Sequence, residues 1–221
     1  MTIMLSVITA LLDMDESIYE TFISLRTQLD SEFEWVIKNN GSGEVDNLPA
    51  ALRLSGIKLI NRPDSSLYEG LNQALNLVSG EYFMVVGAGD KFLSSGIQDV
   101  LTAIKINEAR YQFDSICFPV RVEGVAHVIQ PEPARMKEGM YCPHPGFVAK
   151  TSNAAYMGGF DRRYRLASDY DFVIRYLKRW PKTLISDSPI LEVKRGGLTD
   201  NNITESSLEA ALIRGRHFGF N

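Results

Sequence analysis

A single carboxylate stands in the stretch VVGAGDKF, which runs from Val85 to Phe92 and follows an apolar run. Carboxylate oxygens are preferred ligands of hard cations such as Mg²⁺ and Mn²⁺. Asp90 could hold such an ion together with phosphate oxygens and water. An aspartate that follows a strand also commonly hydrogen-bonds to its own turn. The residue types alone leave both interpretations of Asp90 open.

Two more carboxylates, Asp169 and Asp171, lie at the start of residues 168–180, which have the apolar periodicity of an amphipathic helix. A carboxylate in this position can accept a proton as a general base. It can equally stabilise the helix N-terminus by capping and through the helix dipole. The pattern does not separate these two roles.

The first ninety residues alternate between short apolar runs and amphipathic segments. This pattern is typical of an α/β fold with a mostly parallel sheet and helices on both faces. The predicted strands are residues 3–10, 33–43 with the turn that ends it, 57–62 and 81–86, and the predicted helices are residues 16–29 and 66–80. Ligands bind beyond the carboxyl ends of such strands. Three polar clusters, TALLD, NNGSG and GAGD, follow strands and therefore predict a site at that edge.

The second half of the chain is less regular. Its alternation around Gly124 predicts a hairpin, and a short strand is expected near Gly146. These predict a small antiparallel portion beside the main sheet. Pro181 should end the helix that begins near residue 168, and one or two strands should follow it. A C-terminal helix is expected last, with Thr204 or Ser206 as its N-cap.

The composition limits the functional class. The chain has 221 residues, of which 45% are hydrophobic and 23% charged, as in an ordinary globular domain. A net charge of −4 argues against general binding to nucleic acid. Cys117 and Cys142 have no zinc or redox spacing, which predicts reduced thiols in a cytoplasmic protein. Asp13 interrupts the apolar N-terminal run. We therefore expect this run to be neither a signal peptide nor a membrane span.

Four blocks, in this order, resemble the family 2 glycosyltransferases of GT-A fold, bacterial enzymes that build cell-surface polysaccharides. The blocks are LSVITALLD, SLRTQLDSEFEWVIKNNGS, INRPDSSLYEGLNQALNLVSGEYFMVVGAGD and GGFDRRYRLASDYDFVIRYLKR. Within the family, the chain looks closest to enzymes of colanic-acid type. The resemblance implies one domain over residues 1–221. Residues 1–93 would form a nucleotide-sugar donor half, and residues 94–221 an acceptor half with the C-terminal helix.

The resemblance also implies roles for the carboxylates. Asp90 matches the last position of the family's DxD-type motif, whose Mg²⁺ or Mn²⁺ neutralises the leaving diphosphate. The earlier carboxylates of that motif are absent, and Gly87, Ala88 and Gly89 precede Asp90 instead. Asp169 matches the catalytic base of an inverting transfer, and Asp171 would support it.

The remaining implied site residues surround the donor and the acceptor. The implied donor-binding residues are Thr9, Asp13, Asn39, Asn40, Asp64, Asn72, Gly89 and Asp90. Asn39 and Asn40 replace the family's acidic pair, so that uridine and guanosine both remain open as the donor base. His144, Arg195 and Asp171 are candidates for contact with the acceptor or the diphosphate.

The function implied is inverting transfer of a sugar from a nucleotide diphosphate to a growing polysaccharide or a lipid-linked oligosaccharide. This function is compatible with a cytoplasmic protein that makes peripheral contact with the inner membrane. It is also compatible with a homo-oligomer. Two alternatives remain: a non-catalytic protein that binds a nucleotide sugar or carbohydrate, and a sugar nucleotidyltransferase. The acidic, glycine-free segment TALLDMDES counts against the second, because a triphosphate site ordinarily needs a glycine-rich basic loop there.

Overall fold

The computed structural model describes residues 3–12, 16–28, 32–41, 56–198 and 200–219. The strands are β1 (Leu5–Leu11), β2 (Phe33–Asn39), β3 (Ile57–Asn61), β4 (Tyr82–Val85), β5 (Lys91–Phe92), β6 (Ser115–Cys117), β7 (Val120–Val122), β8 (Val125–Ile129), β9 (Phe147–Lys150), β10 (Thr183–Ile185) and β11 (Leu191–Val193). The helices are α1 (Ser17–Leu25), α2 (Leu67–Leu75), α3 (Gly96–Glu108), α4 (Thr151–Tyr156), α5 (Ser168–Arg179) and α6 (Ile203–Phe218).

A seven-stranded sheet forms the centre, in the order β10-β6-β9-β4-β1-β2-β3. Strands β3, β2, β1 and β4 are parallel neighbours, as the alternating pattern predicts. Strand β9 is antiparallel to both of its neighbours, β4 and β6. The prediction of an α/β fold with a mostly parallel central sheet is confirmed.

A second sheet of four short strands has the order β5-β11-β7-β8. The predicted hairpin is confirmed, because β7 and β8 pair antiparallel on either side of Gly124. Strand β11 joins β5 antiparallel and β7 parallel. This sheet therefore connects the loop after β4 to the second half of the chain, and it forms the small antiparallel portion.

The central sheet is covered on both faces because its buried strands present apolar side chains alternately to each side. Along β1, Leu5 and Val7 pack into a core that includes Phe22 of α1 and Val100 of α3. Ile8 points the other way, into a core built with helices α2 and α5. None of the helices in the described ranges has the length and hydropathy that a membrane span requires.

The start of α6 differs from the prediction. A 3₁₀ turn at Asp200–Asn202 begins the winding early, so that Asn202 occupies the N-cap and the helix starts at Ile203. Ser206 lies inside the helix, where its hydroxyl donates to the Ile203 carbonyl at 3.0 Å. The prediction of Thr204 or Ser206 as N-cap was wrong.

Candidate functional site

Several of the predicted donor residues lie in segments that end at one edge of the central sheet. Because β1, β2 and β4 are parallel neighbours, the segments that follow them share that edge. Thr9 lies within β1, and its fully buried hydroxyl accepts a hydrogen bond from Trp35 Nε1 at 3.0 Å. Its polar atom is thus used inside the core. Asp13 lies outside the described residues.

An ion pair between Lys38 and Asp64 joins the end of β2 to the segment before α2. Both side chains are buried, with exposed fractions of 0% and 3%. Lys38 Nζ also donates to the Asn39 carbonyl at 2.9 Å. Gly70 of α2 makes room for the pair, since a Cβ there would lie 2.9 Å from Asp64 Oδ2. This buried pair fixes the segment that follows β3 against the end of β2.

The two asparagines after β2 have different surroundings. Asn40 Oδ1 accepts a hydrogen bond from the Asp64 backbone amide at 2.6 Å, so it holds the neighbouring loop. Asn39 Nδ2 donates to Asn61 Oδ1 at 3.0 Å. Asn39 Oδ1 is buried and has no hydrogen-bond partner in the described part of the chain. A buried acceptor in this state can bind a donor N–H from a ligand.

Asp90 fastens two loops together. Its Oδ2 accepts a hydrogen bond from the Gly87 amide at 2.7 Å, and its Oδ1 accepts one from the Lys194 amide at 2.9 Å. The side chain is only 4% exposed. Burial raises the pKa of this carboxyl to about 6, and the two amide donors oppose that rise. The turn role that the sequence left open is therefore present in the structure.

We expect Asp90→Ala to lower the free energy of unfolding by about 1–3 kcal/mol even without nucleotide or metal, because the partly buried Gly87 and Lys194 amides lose their acceptor. Urea denaturation in EDTA measures this loss. Asp90→Asn keeps one acceptor oxygen and should lose less. Wild-type stability of Asp90→Ala in EDTA would contradict the loop-holding role.

The backbone of Gly89 is close to Lys194. Gly89 has φ +94°, a conformation that side chains rarely adopt, and a Cβ there would collide with Lys194 Cδ. Its amide donates to Thr21 Oγ1 at 2.9 Å, a contact that no local pattern in the sequence indicates. The Lys194 ammonium pairs with Glu20 at 3.0 Å. Arg195, the next residue, is exposed.

Asp169 lies in the first turn of α5 and is half-buried. Its Oδ1 accepts hydrogen bonds from the Tyr170 amide at 2.9 Å and from the Tyr68 hydroxyl at 3.1 Å. Burial, and then the charge of Asp169, raise the pKa of Tyr68 well above its usual range, so its hydroxyl remains a donor. Asp169 Oδ2 has no partner within the described ranges. One carboxylate oxygen is thus held, and the other is available.

Asn72 holds the loop that leads to α5. Its Nδ2 donates to the Phe160 carbonyl and its Oδ1 accepts from the Phe160 amide, each at 2.8 Å. Gly159, with φ +70°, must lack a side chain because a Cβ would collide with Asn72 Oδ1. Both polar atoms of the Asn72 side chain are therefore used within the protein.

Asp171 is 1% exposed and joins two helices. It pairs with Arg175 Nε at 2.6 Å and with His217 Nε2 at 2.8 Å. His217 belongs to α6, so Asp171 holds the C-terminal helix against α5. Both oxygens of the Asp171 carboxylate are therefore used within the protein.

His144 lies half-buried in a 3₁₀ turn before β9. Its ring packs edge-on against Phe160, with centroids 5.5 Å apart. Burial lowers the pKa of His144, while the charge of Asp169 acts to raise it. Two residues earlier, Cys142 forms a disulfide with Cys117, with Cα atoms 6.5 Å apart. The prediction of reduced thiols was wrong, because the pairing of β6 with β9 brings these distant residues together.

Glu209 of α6 binds three consecutive backbone amides just before α5. Its Oε1 accepts from Arg165 at 2.9 Å, and its Oε2 accepts from Leu166 at 2.8 Å and Ala167 at 2.9 Å. These are the residues that lead directly to Asp169. Sequence reasoning missed Glu209, since a glutamate on a helix face gives no sign of a partner more than forty residues away.

A cavity of about 480 Å³ opens beside this loop at the carboxyl edge of the sheet. Its walls come from the end of β1, the start of α2, the loop before α5 and the segment that leads into α6. They include Leu12, Ser66, Leu166 and Glu209. Tyr68 links the cavity to Asp169, because its hydroxyl lies 3.1 Å from both the Leu166 carbonyl and Asp169 Oδ1.

Asp90 is the residue that could hold a metal ion. Each of its oxygens accepts one amide hydrogen bond and keeps a second lone pair. The carboxylate therefore fits a hard cation that takes its other ligands from phosphate oxygens and water. Within the described ranges, no group of three or more His, Cys, Asp or Glu side chains is placed to hold an ion by itself.

A scan against protein-family models gives no match, and neither does a search of curated protein sequences. Solved structures do match. TarS 1–349 from S. aureus, in complex with UDP, superposes with a TM-score of 0.74 at 16% identity, covering 97% of this chain and 65% of that one. The mannosyltransferase PcManGT from Pyrobaculum calidifontis, in complex with GDP-Man and Mn²⁺, gives 0.69 at 13% identity, covering 98% and 62%.

A third similar structure is glucosyl-3-phosphoglycerate synthase from Mycobacterium tuberculosis, in complex with Mn²⁺, UDP and glucosyl-3-phosphoglycerate. It gives a TM-score of 0.66 at 14% identity, covering 99% of this chain and 81% of that one. At such low identity, these likenesses establish the architecture alone. The chain has the GT-A fold.

Proposed function

We propose that the protein is an inverting glycosyltransferase that uses a nucleotide-sugar donor. The observation that carries this proposal is Asp169, whose Oδ1 is fixed by Tyr68 and the Tyr170 amide while Oδ2 remains available. The GT-A fold and the nucleotides bound in the similar structures, UDP and GDP-Man, support it.

In the proposed reaction, an acceptor hydroxyl approaches the anomeric carbon opposite the diphosphate. As the new carbon–oxygen bond forms, Asp169 Oδ2 takes the hydroxyl proton, and the bond to the diphosphate breaks with its electron pair. The carboxylate needs a fixed orientation to accept that proton, and the hydrogen bond from Tyr68 supplies it. The nucleotide diphosphate leaves, and the anomeric configuration inverts.

The donor would lie along the carboxyl edge of the sheet. Asn39 Oδ1, a buried acceptor with no partner in the described residues, would bind the N–H of a base, which both uracil and guanine present. Asp90 would hold Mg²⁺ or Mn²⁺ together with phosphate oxygens and water. The chemistry that such an ion supplies is positive charge against the departing diphosphate. Arg195 and His144 are proposed to contact the diphosphate or the acceptor.

We propose further that the acceptor is a growing polysaccharide or a lipid-linked oligosaccharide, as in the colanic-acid-type enzymes that the sequence resembles. The protein would then work as a single domain in the cytoplasm, with peripheral contact at the inner membrane and with homo-oligomers allowed. The alternative is a non-catalytic protein that binds a nucleotide sugar or carbohydrate without turning it over. Transfer activity that depends on Asp169 separates the enzyme from this alternative.

Thermal unfolding against a panel of nucleoside diphosphates and nucleotide sugars, with and without Mn²⁺, tests donor binding. At about 100 times its Kd, a ligand of the native state stabilises it by about 2.7 kcal/mol. For a chain of this size, that raises the midpoint by about 5–10 °C. We expect one base to give this shift and Asn39→Ala to abolish it.

Asn107→Ala is the matched control. Asn107 lies near the end of α3. The next residue, Glu108, accepts a hydrogen bond from Tyr82, the first residue of β4, so Asn107 is near the edge of the sheet opposite the proposed donor site. The control should keep the full shift. The proposed donor site is refuted if no nucleotide moves the midpoint, or if Asn39→Ala and the control respond alike.

A further inference from the structure

A positively charged cleft of about 460 Å³ adjoins the cavity beside Asp169. It lies between the start of α2 and the loop before α5, and its lining residues are Ser65, Ser66, Asp161, Arg162, Arg163 and Arg165. The cleft and the cavity share a wall formed by the two serines and Arg165. The cleft and the cavity are therefore neighbours on the surface, and the loop that leads to Asp169 contributes to both.

The cleft carries an excess of positive charge. A fourth arginine, Arg216 of α6, reaches Asp161 at 3.6 Å. Four guanidinium groups thus face two carboxylates, those of Asp161 and Glu69. Glu209, whose carboxylate binds three backbone amides, adds a third negative charge nearby, so that one positive charge remains in excess. This local excess contrasts with the net charge of −4 for the whole chain.

The arginines differ in how far the protein already uses them. Arg163 is paired with Asp161 at 2.6 Å. Arg162 approaches Glu69 only to 3.3 Å, and its side chain is 61% exposed. The Arg165 guanidinium has no partner in the part of the chain that the structure describes, although its backbone amide is held by Glu209. The backbone of Arg165 is therefore fixed, while the N–H groups of its guanidinium remain available. Phosphate recognition by arginine uses such N–H donors.

The position of the cleft assigns it to the acceptor. The donor's diphosphate is expected at the loop that ends in Asp90, whereas Arg165 lies four residues before Asp169 on the base's own loop. The positive end of the α2 dipole also favours an anion here. We propose that this cleft binds a phosphate group carried by the acceptor, an inference that rests on the proposed transferase function. A neutral glycan has no group that needs this charge.

Calorimetric titration at low ionic strength tests the proposal with two probes, glucose 1-phosphate and farnesyl diphosphate, and with glucose as the neutral comparison. We expect saturable binding of at least one phosphate probe and none of glucose. Arg165→Gln and Arg162→Gln should each weaken that binding about 10-fold or more. Arg110→Gln, which removes an exposed arginine at the end of α3, should leave it unchanged.

The two probes separate the sources of the phosphate. Tighter binding of glucose 1-phosphate indicates a phosphorylated glycan, and tighter binding of farnesyl diphosphate indicates a lipid carrier. Both outcomes support the cleft. Equal affinities in Arg165→Gln and Arg110→Gln, or no saturable binding of either probe, would overturn it.

The same titration with a saturating nucleoside diphosphate distinguishes the cleft from the donor site. Unchanged probe affinity supports an acceptor site, whereas competition would place the donor's own phosphates in the cleft and overturn the assignment. Since the first titrations contain no nucleotide, they report on the cleft even if the protein proves to bind no donor. Failure of the transferase proposal is read separately, from the thermal shifts.

Discussion

Replacement of Asp169 by asparagine is expected to lower the rate of sugar transfer by about 10²–10⁴-fold, the usual contribution of a general base. Asparagine has nearly the same shape, and its carbonyl can still accept the hydrogen bonds from Tyr68 and the Tyr170 amide. Its amide nitrogen cannot take a proton from the acceptor. The loss should therefore fall on kcat, with the unfolding midpoint and the nucleotide-induced shift close to those of the wild type.

Asp171→Asn is the matched control for this experiment. It changes a carboxylate two residues away whose two oxygens bind Arg175 and His217. We expect Asp171→Asn to lower stability, because α6 loses a contact, and to keep far more of the transfer rate than Asp169→Asn. Tyr68→Phe should reduce kcat modestly by freeing the carboxylate. A full transfer rate in Asp169→Asn would rule out this aspartate as the base.

The sequence was informative wherever a role depends on residues close together in the chain. The alternating apolar runs predict the four parallel strands, and the SDYDF pattern places Asp169 at the start of α5. The second sheet was only partly predictable, because its strands have two to five residues and pair across long separations. A strand of two residues, such as β5, has no periodicity to detect.

The contacts that give the site residues their roles were the least predictable. Tyr68 and Asp169 are 101 residues apart, and Glu209 is more than forty from the amides it binds. The sequence also could not decide between the two roles of Asp90, because the second amide it accepts belongs to Lys194, 104 residues further on. Such roles follow from the fold, which positions both partners, and single-sequence patterns carry no trace of them.

Asp64→Ala is expected to have the largest effect on stability. Lys38 is fully buried, and without Asp64 its ammonium group keeps, among the described residues, only the Asn39 carbonyl as a partner. Removing one member of a buried ion pair costs about 3–5 kcal/mol, which lowers the unfolding midpoint of a domain of this size by about 6 °C or more. Glu32→Ala, which opens the exposed pair with Lys105, should cost less than about 1 kcal/mol.

The double variant Lys38→Met/Asp64→Leu separates the structural role of Asp64 from its predicted role in donor binding. An apolar pair of similar volume often replaces a buried ion pair without loss, so we expect stability to recover relative to Asp64→Ala. Asp64 Oδ1 is buried and has no partner among the described residues, and therefore could still accept a hydrogen bond from the donor. If it does, the double variant will be stable and will bind nucleotide weakly. If Asp64 serves only to hold Lys38, the stable double variant will show the full nucleotide-induced shift in the unfolding midpoint.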